Sequence, residues 1–312
     1  MRIPYCFSTD VLRTFSQEVR NVYGSIILVV AAGVALISNI LIRNLSQCYP
    51  PMQILFFKGV VALVLLTIFS FRSLCAVSGA QKWHWHVLRG AIGFIGNYLA
   101  VLGLRALPLA DATALSLTSA FWGLWGGVVI LKEQVSFARI LATIVGFGGA
   151  LFIIKPASLV FNVHTLYPLG AAFCFASSVL IVRYTGKSDG ALPSLFGLYS
   201  VMTLAPLPWI FCGWTPILRG DIPALLAVGS LSIVSMYGVT TAYILAEASY
   251  VAPTKFVRYP LSLFAGIFYC GDTLDVTHTI GALVIVLAIW VLPYADVLKS
   301  KKTGFFHRWK NK

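Results

Sequence analysis

Apolar residues run in long, almost uninterrupted stretches along most of the chain, without the regular polar positions of a soluble helix or strand. An α-helix needs roughly 20 such residues to cross a bilayer. Ten candidate spans can be drawn, at residues 22–42, 52–71, 90–104, 110–131, 137–154, 166–182, 192–212, 222–245, 251–271 and 276–292. The pattern predicts an all-α membrane protein with about ten transmembrane helices. The short connections further predict that consecutive helices are antiparallel neighbours.

The overall composition supports the same fold class. Hydrophobic residues make up 59% of the chain and charged residues only 11%, against about 25% charged residues in a typical soluble protein. This is too little polar surface to cover a water-soluble globule. The six cysteines are scattered without the C-x-x-C spacing of metal or redox sites. We therefore expect no bound metal and no cofactor.

The distribution of positive charge predicts how the chain is oriented in the membrane. The net charge of +13 would suggest nucleic-acid binding in a soluble protein, but basic residues also collect in the cytoplasmic loops of membrane proteins. With a cytoplasmic N-terminus, sixteen basic residues fall in cytoplasmic segments and four on the opposite side. We expect an inner-membrane protein with both termini in the cytoplasm, in contact with lipid and not with nucleic acid. The pattern specifies no oligomeric state.

A weak internal similarity divides the chain into two halves. Residues 90–142 align with residues 229–281 at a constant offset that pairs Gly90 with Gly229, and an acidic residue closes a long apolar span in each copy. Five spans per half is an odd number, so the two halves would have opposite orientations, as in many alternating-access carriers. The predicted segments are a cytoplasmic segment 1–21, five-helix repeats 22–156 and 157–295, and a basic tail 296–312.

Three cations remain inside predicted spans, where a charge is costly and therefore a candidate for function. Lys58 lies in the second span, and Lys255 and Arg258 lie three residues apart in the ninth. Snorkelling to the headgroups is the alternative, especially for Lys255. No acidic residue is clearly at membrane depth, so the three cations suit a solute that carries a carboxylate or phosphate.

Polar and aromatic residues near these cations complete the predicted binding site. Asn97 is a buried amide that needs a partner, and Tyr98 and Tyr259 could stack on a solute or simply pack. We predict that Lys58, Asn97, Tyr98, Lys255, Arg258 and Tyr259 line a central cavity. Because the five histidines lie near span ends or in loops, exchange or facilitated transport is favoured over proton coupling.

Sequence motifs of enzymes are missing from the chain. We find no HExxH, GxSxG, P-loop or paired intramembrane aspartates. The run KWHWH at 82–86 places its histidines on different helix faces, so its tryptophans indicate interfacial anchoring rather than a metal site. A carrier is the leading prediction, and a non-transporting membrane scaffold or enzyme is the rival from another class.

Several short motifs resemble the EamA domain of the drug/metabolite transporter superfamily. They are LRG at 88–90, LPLADATAL at 107–115, LKE at 131–133 and GFGG at 146–149. A degenerate copy returns in the second half at 252–254, 271–272 and 281–282. The resemblance implies two inverted five-helix repeats and transport of a small metabolite by alternating access.

Within the superfamily, the spacing is most similar to that of S-adenosylmethionine uptake carriers. The similar stretches include residues 88–90 and APTK at 252–255. The chain departs from those carriers at Lys255, where they tend to have Arg, and at Arg258, where they tend to have an acid. The resemblance implies S-adenosylmethionine uptake or exchange as one candidate, and export of amino acids or other metabolites as another.

Overall fold

A computed structural model gives the structure of the protein. It describes residues 17–69, 82–107, 109–132, 163–251 and 253–258, together with isolated positions at 140, 141, 143–145, 148, 261, 262 and 264. Within these ranges all regular secondary structure is helical. Seven helical stretches are long and apolar enough to cross a membrane, judged by length and composition. This agrees with an all-α membrane protein, while most of the predicted spans 137–154 and 251–271 and all of 276–292 lie outside the described residues.

The described residues from 17 to 132 form five helices. These are α1 Gln17–Cys48, α2 Pro51–Phe69, α3 Trp83–Ala106, α4 Leu109–Ser116 and α5 Thr118–Val129. The predicted span 110–131 is thus two helices that meet at Leu117. The predicted start of span three at residue 90 is wrong, because α3 begins seven residues earlier.

The second part begins with a 3₁₀ turn and continues with longer helices. They are the turn Val163–Thr165, α6 Leu166–Asp189, α7 Ala191–Leu204, α8 Leu207–Gly213, a turn Arg219–Asp221, α9 Ile222–Leu245, α10 Ala248–Val251 and a 3₁₀ segment Pro253–Val257. The bounds of α9 match the predicted span. The predicted span 192–212 is divided between α7 and α8, where Pro206 precedes the first turn of α8.

Hydroxyl side chains inside the helices bond to their own backbone. Thr67 donates to Leu63 O, Thr113 to Leu109 O, and Thr185 to Ile181 O, each at 2.7–2.9 Å. These bonds satisfy polar groups in a medium without water. On the outside of the bundle, large apolar side chains such as Ile26 and Ile68 are more than half exposed, which suits contact with lipid.

The helices pack mainly across the two halves of the chain rather than with their neighbours in sequence. The most extensive contacts join α1 with α9 and α3 with α6, followed by α3 with α7, α2 with α9, α5 with α6, and α2 with α7. The α1–α2 and α2–α3 contacts are small. Consecutive helices among the first three therefore touch, but their most extensive contacts are with helices of the other half. Packing between the halves leaves room for a cavity at their interface.

Candidate functional site

A cavity lies among these helices, and its wall is built by residues from both halves of the chain. Its lining includes residues of α1 to α7, of α9, and of the segment after α10. The charged and amide side chains that line it are Asn39, Lys58, Arg89, Asn97, Lys255 and Arg258. Serine, threonine and tyrosine hydroxyls occupy further positions in the wall. No Asp or Glu is found among the described residues that line the cavity.

Lys58 is held in the cavity wall by an amide rather than by a carboxylate. Its Nζ donates a hydrogen bond of 2.7 Å to Oδ1 of Asn97. The Nδ2 of Asn97 in turn donates to the carbonyl oxygen of Gly93 at 2.8 Å, which fixes the direction of the amide. Asn97 therefore orients the ammonium group without cancelling its charge.

Lys255 and Arg258 enter the cavity from the segment that follows α10. The Lys255 Nζ lies 5.4 Å from the centre of the Tyr243 ring, within the range of a cation–π contact. Arg258 is close enough to both Lys58 and Lys255 for their charges to repel. The Nε of Arg258 is buried and has no hydrogen-bond partner among the described residues. These three cations form one basic centre.

Arg89 is a fourth cation in the wall, although the predicted third span begins at residue 90 and leaves Arg89 in a cytoplasmic segment. It lies inside α3 and is only 1% exposed. Its guanidinium donates to the Ser194 hydroxyl on α7 at 2.5 Å and to the Thr240 hydroxyl on α9 at 2.9 Å. The Nε of Arg89 has no partner among the described residues. The general rule that buried cations mark function would have selected Arg89 if the start of α3 had been predicted correctly.

The two tyrosines of the predicted site have different outcomes. Tyr98 is partly buried against an apolar cluster that contains Ile54 and Leu104, and it is not among the described residues that line the cavity. Tyr259 lies outside the described residues. A tyrosine that the sequence analysis did not select, Tyr199, lines the cavity and is 1% exposed.

At one end of the bundle, a polar cluster joins the α1–α2 connection to the segment before α9. The Tyr49 hydroxyl donates to the Asp221 carboxylate at 2.7 Å and accepts from the Leu218 N–H at 3.1 Å. Gln53 makes two hydrogen bonds with the backbone of Thr215. The bond to Asp221 raises the pKa of the Tyr49 hydroxyl. These contacts join the first half of the chain to the second.

A buried hydrogen bond between a histidine and an aspartate lies at the opposite end, where α3 begins and α6 ends. His86 Nε2 is 2.9 Å from the Asp189 carboxylate, and the Lys82 N–H donates to the same oxygen. Burial raises the pKa of Asp189, but the hydrogen bonds from His86, Ser188 and Lys82 outweigh it and lower the pKa below its usual value. His86 is fully buried, whereas Trp83 of the same run is exposed. Among the described residues, no cluster of His, Cys, Asp and Glu could hold a metal ion.

Comparisons with known proteins identify the family. A sequence profile described as the EamA-like transporter family matches residues 22–155. A riboflavin transporter of Vibrio cholerae is 30% identical over 227 residues, which cover 71% of this chain and 75% of the relative. The chain belongs to the EamA-like transporter family. The predicted membership of the drug/metabolite transporter superfamily is thus confirmed, and this EamA-like protein is a multi-pass membrane transporter rather than an enzyme.

Other relatives of the EamA-like chain carry names with different solutes. An S-adenosylmethionine uptake transporter of Rickettsia prowazekii is 28% identical and covers 68% of this chain and 72% of its own length. A pseudopaline exporter of Pseudomonas aeruginosa is 24% identical, and the match covers 85% of this chain and 94% of the exporter. One solved crystal structure superposes with a TM-score of 0.70 at 12% identity, over 88% of this chain and 96% of its own. This last likeness shows a shared fold.

Proposed function

We propose that this EamA-like transporter moves a small polar metabolite with at least one acidic group across the inner membrane. The observation that carries the proposal is the charge of the cavity: it is lined by Lys58, Arg89, Lys255 and Arg258 and by no carboxylate of a described residue. Buried charges without counter-charges are strongly unfavourable. An anionic solute would relieve that cost, so the empty cavity favours an anion over a neutral or cationic solute.

The packing of the helices supports alternating access by two inverted halves. Suppose that α1, α2 and α3 correspond to α6, α7 and α9. A two-fold rotation then exchanges the α1–α9 contact with the α6–α3 contact. It also exchanges the α2–α9 contact with the α7–α3 contact. These are among the most extensive contacts in the bundle. A cavity between such halves can open to either side of the membrane by rocking one half against the other.

Two close glycine contacts support the same correspondence. A Cβ on Gly90 of α3 would lie 2.7 Å from a Val201 side-chain carbon on α7, and a Cβ on Gly229 of α9 would lie 2.4 Å from Val61 on α2. The sequence alignment of the halves pairs Gly90 with Gly229. Val61 and Val201 are each the eleventh residue of their helix. Two such contacts are what inverted repeats would produce.

The orientation and location follow from the distribution of basic residues. Because Arg89 is buried in α3, it no longer counts as a basic residue of a cytoplasmic segment. Fifteen basic residues then fall in cytoplasmic segments, against four on the opposite side. This bias still favours cytoplasmic termini in the inner membrane. This orientation places the Tyr49–Asp221 cluster on the outer side and the His86–Asp189 pair on the cytoplasmic side.

The named relatives supply the solutes to test first. Riboflavin, S-adenosylmethionine and pseudopaline occur in the names of relatives that are 24–30% identical. The carboxylate of S-adenosylmethionine would suit Lys58 or Lys255, but its sulfonium cation would face Arg258. We therefore place a purely acidic metabolite first and S-adenosylmethionine second. Uptake and export are both represented among these names.

Reconstitution of the purified protein in liposomes tests the proposal. The liposomes are offered a broad metabolite mixture, and the solutes that enter or exchange are identified by mass spectrometry. We expect acidic solutes to be transported, and we expect Lys58→Met and Arg258→Met to reduce their uptake by about tenfold or more, because each removes a charged interaction. Arg219→Met is the matched control, since Arg219 is exposed outside the cavity. Unchanged uptake in both cavity variants would refute the charged site.

Two further outcomes of the liposome experiment bear on the rival interpretations. Transport of no metabolite would favour a membrane scaffold or enzyme. Exchange or facilitated transport predicts that uptake does not require a pH gradient, since the described wall of the cavity holds no carboxylate to relay protons.

A further inference from the structure

The wall of the cavity holds a second polar cluster, separate from the basic centre of Lys58, Lys255 and Arg258. It consists of Arg89 on α3, Ser194 and Tyr199 on α7, and Thr240 on α9. Arg89 is 1% exposed and Tyr199 is 1% exposed, and the charge of Arg89 acts on the Tyr199 hydroxyl. Arg89, Tyr199 and Thr240 all line the cavity.

Two polar groups of this cluster have unused hydrogen-bonding capacity. Two nitrogens of the Arg89 guanidinium donate hydrogen bonds to the hydroxyls of Ser194 and Thr240. Its Nε and the Tyr199 hydroxyl have no partner among the described residues. Buried polar groups are normally hydrogen-bonded, so each exception needs an explanation. A purely structural arginine that fastens three helices would not need a neighbouring unpaired phenol in the same cavity wall.

The spacing of the two polar clusters follows from the geometry of α3. Arg89, Gly93 and Asn97 recur every four residues and therefore share one face of the helix. Eight residues of α-helix rise about 12 Å. This rise separates Arg89 from Asn97, whose Oδ1 accepts a hydrogen bond of 2.7 Å from Lys58 Nζ. Apolar residues of the wall, including Leu198 and Val239, also line the cavity.

We infer that Arg89 and Tyr199 form a second anion-binding subsite, and that the transported solute is an elongated metabolite with an acidic group at each end. One acidic group binds the basic centre at Lys58, and the other binds the Arg89 Nε–H and the Tyr199 O–H. The apolar middle of the solute lies along the wall between them. This inference rests on the proposed function, because it assumes that the cavity binds anions.

Binding measurements on the purified full-length protein in detergent test the inference with three probes. Decanedioate carries two carboxylates whose extended separation matches the spacing of the clusters. Its monoamide has the same length and one charge less, and succinate has both charges but is too short. We expect decanedioate to bind the wild type about tenfold or more tightly than either comparison solute, since it alone reaches both subsites.

Two variants examine the second subsite directly. Tyr199→Phe removes a hydroxyl that bonds to no described residue, so we expect unchanged thermal unfolding together with loss of most of the decanedioate advantage. Arg89→Lys keeps a positive charge but removes the Nε–H, and it should have the same effect on binding. Tyr237→Phe is the matched control, because this tyrosine is 37% exposed and does not line the cavity.

The possible results separate this inference from the proposed function. Equal affinity for decanedioate and its monoamide, or an advantage that survives in both Tyr199→Phe and Arg89→Lys, overturns the second subsite while leaving an anion-binding cavity in place. Failure of every acidic probe to bind contradicts the proposed function and this inference with it. A wild-type preference for decanedioate that both variants lose, and that Tyr237→Phe keeps, supports the inference.

Discussion

At the scale of single residues, Asn97 holds Lys58 in place and leaves its positive charge uncancelled. Its amide accepts a hydrogen bond from Lys58 and donates one to Gly93 O, so both of its polar ends are used inside the helix bundle. A carboxylate in the same place would also hold the ammonium group, but it would neutralise it. An amide keeps Lys58 available to a solute anion.

We predict that Asn97→Asp weakens the binding of acidic solutes. The new carboxylate would form an ion pair with Lys58 and would lose the hydrogen bond to Gly93 O. Uptake in liposomes should fall by about tenfold or more at subsaturating solute. Asn44→Asp makes the same chemical change at an exposed position of α1 and should leave uptake unchanged. Full uptake by Asn97→Asp would contradict the role of the amide.

The sequence predicts cavity residues well where the cost of burying a polar group selects them. It predicts them poorly where the answer depends on which face of a helix points to the cavity. Lys58, Asn97, Lys255 and Arg258 follow from the cost of polar groups in a membrane, and all four line the cavity. Tyr98 does not, because adjacent helix positions differ by about 100° and no local signal tells which one faces a neighbour. The hydrogen-bond partners of Arg89 lie 105 and 151 residues away, so its burial could not be read locally.

At the scale of elements, α3 depends on the absence of side chains where it crosses α7. A Cβ on Gly90 would lie 2.6 Å from the Gly197 carbonyl oxygen, and a Cβ on Gly197 would lie 2.7 Å from the His86 carbonyl oxygen. Backbone atoms cannot yield as a flexible side chain can. The two helices therefore touch backbone to backbone, which places the buried residues of α3 beside α7 and α9.

We predict that Gly90→Ala destabilises the protein by about 1–3 kcal/mol, the usual cost of overpacking a core. Thermal unfolding in detergent should show a lower midpoint than the wild type. Gly33→Ala is the matched control: a Cβ there meets nothing within 4 Å, and alanine favours the helix. We expect it to unfold at or above the wild-type temperature. A Gly90→Ala protein as stable as the Gly33→Ala protein would contradict the close crossing.

The limits of individual helices are predictable where the apolar run has clear polar ends. Pro223 and the preceding RGD segment mark the start of α9, and its bounds Ile222–Leu245 agree with the sequence prediction. The start of α3 is hard to predict from the sequence, because Trp83, His84 and His86 are residue types that are common at the membrane–water interface. His86 is buried by a pairing with Asp189 on α6, which only the tertiary structure supplies.

At the scale of the whole molecule, the two halves meet through interleaved helices and are joined at one end by Tyr49, Gln53, Thr215 and Asp221. Tyr49 and Thr215 lie in connecting segments, Gln53 lies in the first turn of α2, and Asp221 lies in the turn before α9. The bonds join side chains and connecting backbone, so they can break without unfolding a helix. On the proposed cycle, opening of the cavity toward that side would separate them. The membrane orientation of this end can be measured with a thiol that the chain already carries.

We predict that Cys48 faces the outside of the inner membrane. It is exposed at the end of α1, opposite the N-terminus that the charge bias places in the cytoplasm. In a protein whose other cysteines are replaced by serine, a membrane-impermeant maleimide should label Cys48 in cells with a permeabilised outer membrane. Val19→Cys in a cysteine-free protein, at the other end of α1, should react only after the inner membrane is disrupted. The reverse pattern would invert the orientation.

On the proposed alternating-access cycle, the unneutralised cations of the cavity wall would make transport sensitive to voltage. One elementary charge that crosses a potential of 100 mV changes in energy by about 2.3 kcal/mol. An empty cavity that carries net positive charge does electrical work when it switches from one face to the other, and an inside-negative potential draws it towards the cytoplasmic face. A bound dianion offsets two of the four positive charges in the wall, so the loaded transporter would do less electrical work than the empty one. On the proposed cycle, an inside-negative potential would therefore slow the outward return of the unloaded transporter more than that of the loaded one, which favours exchange of one anion for another.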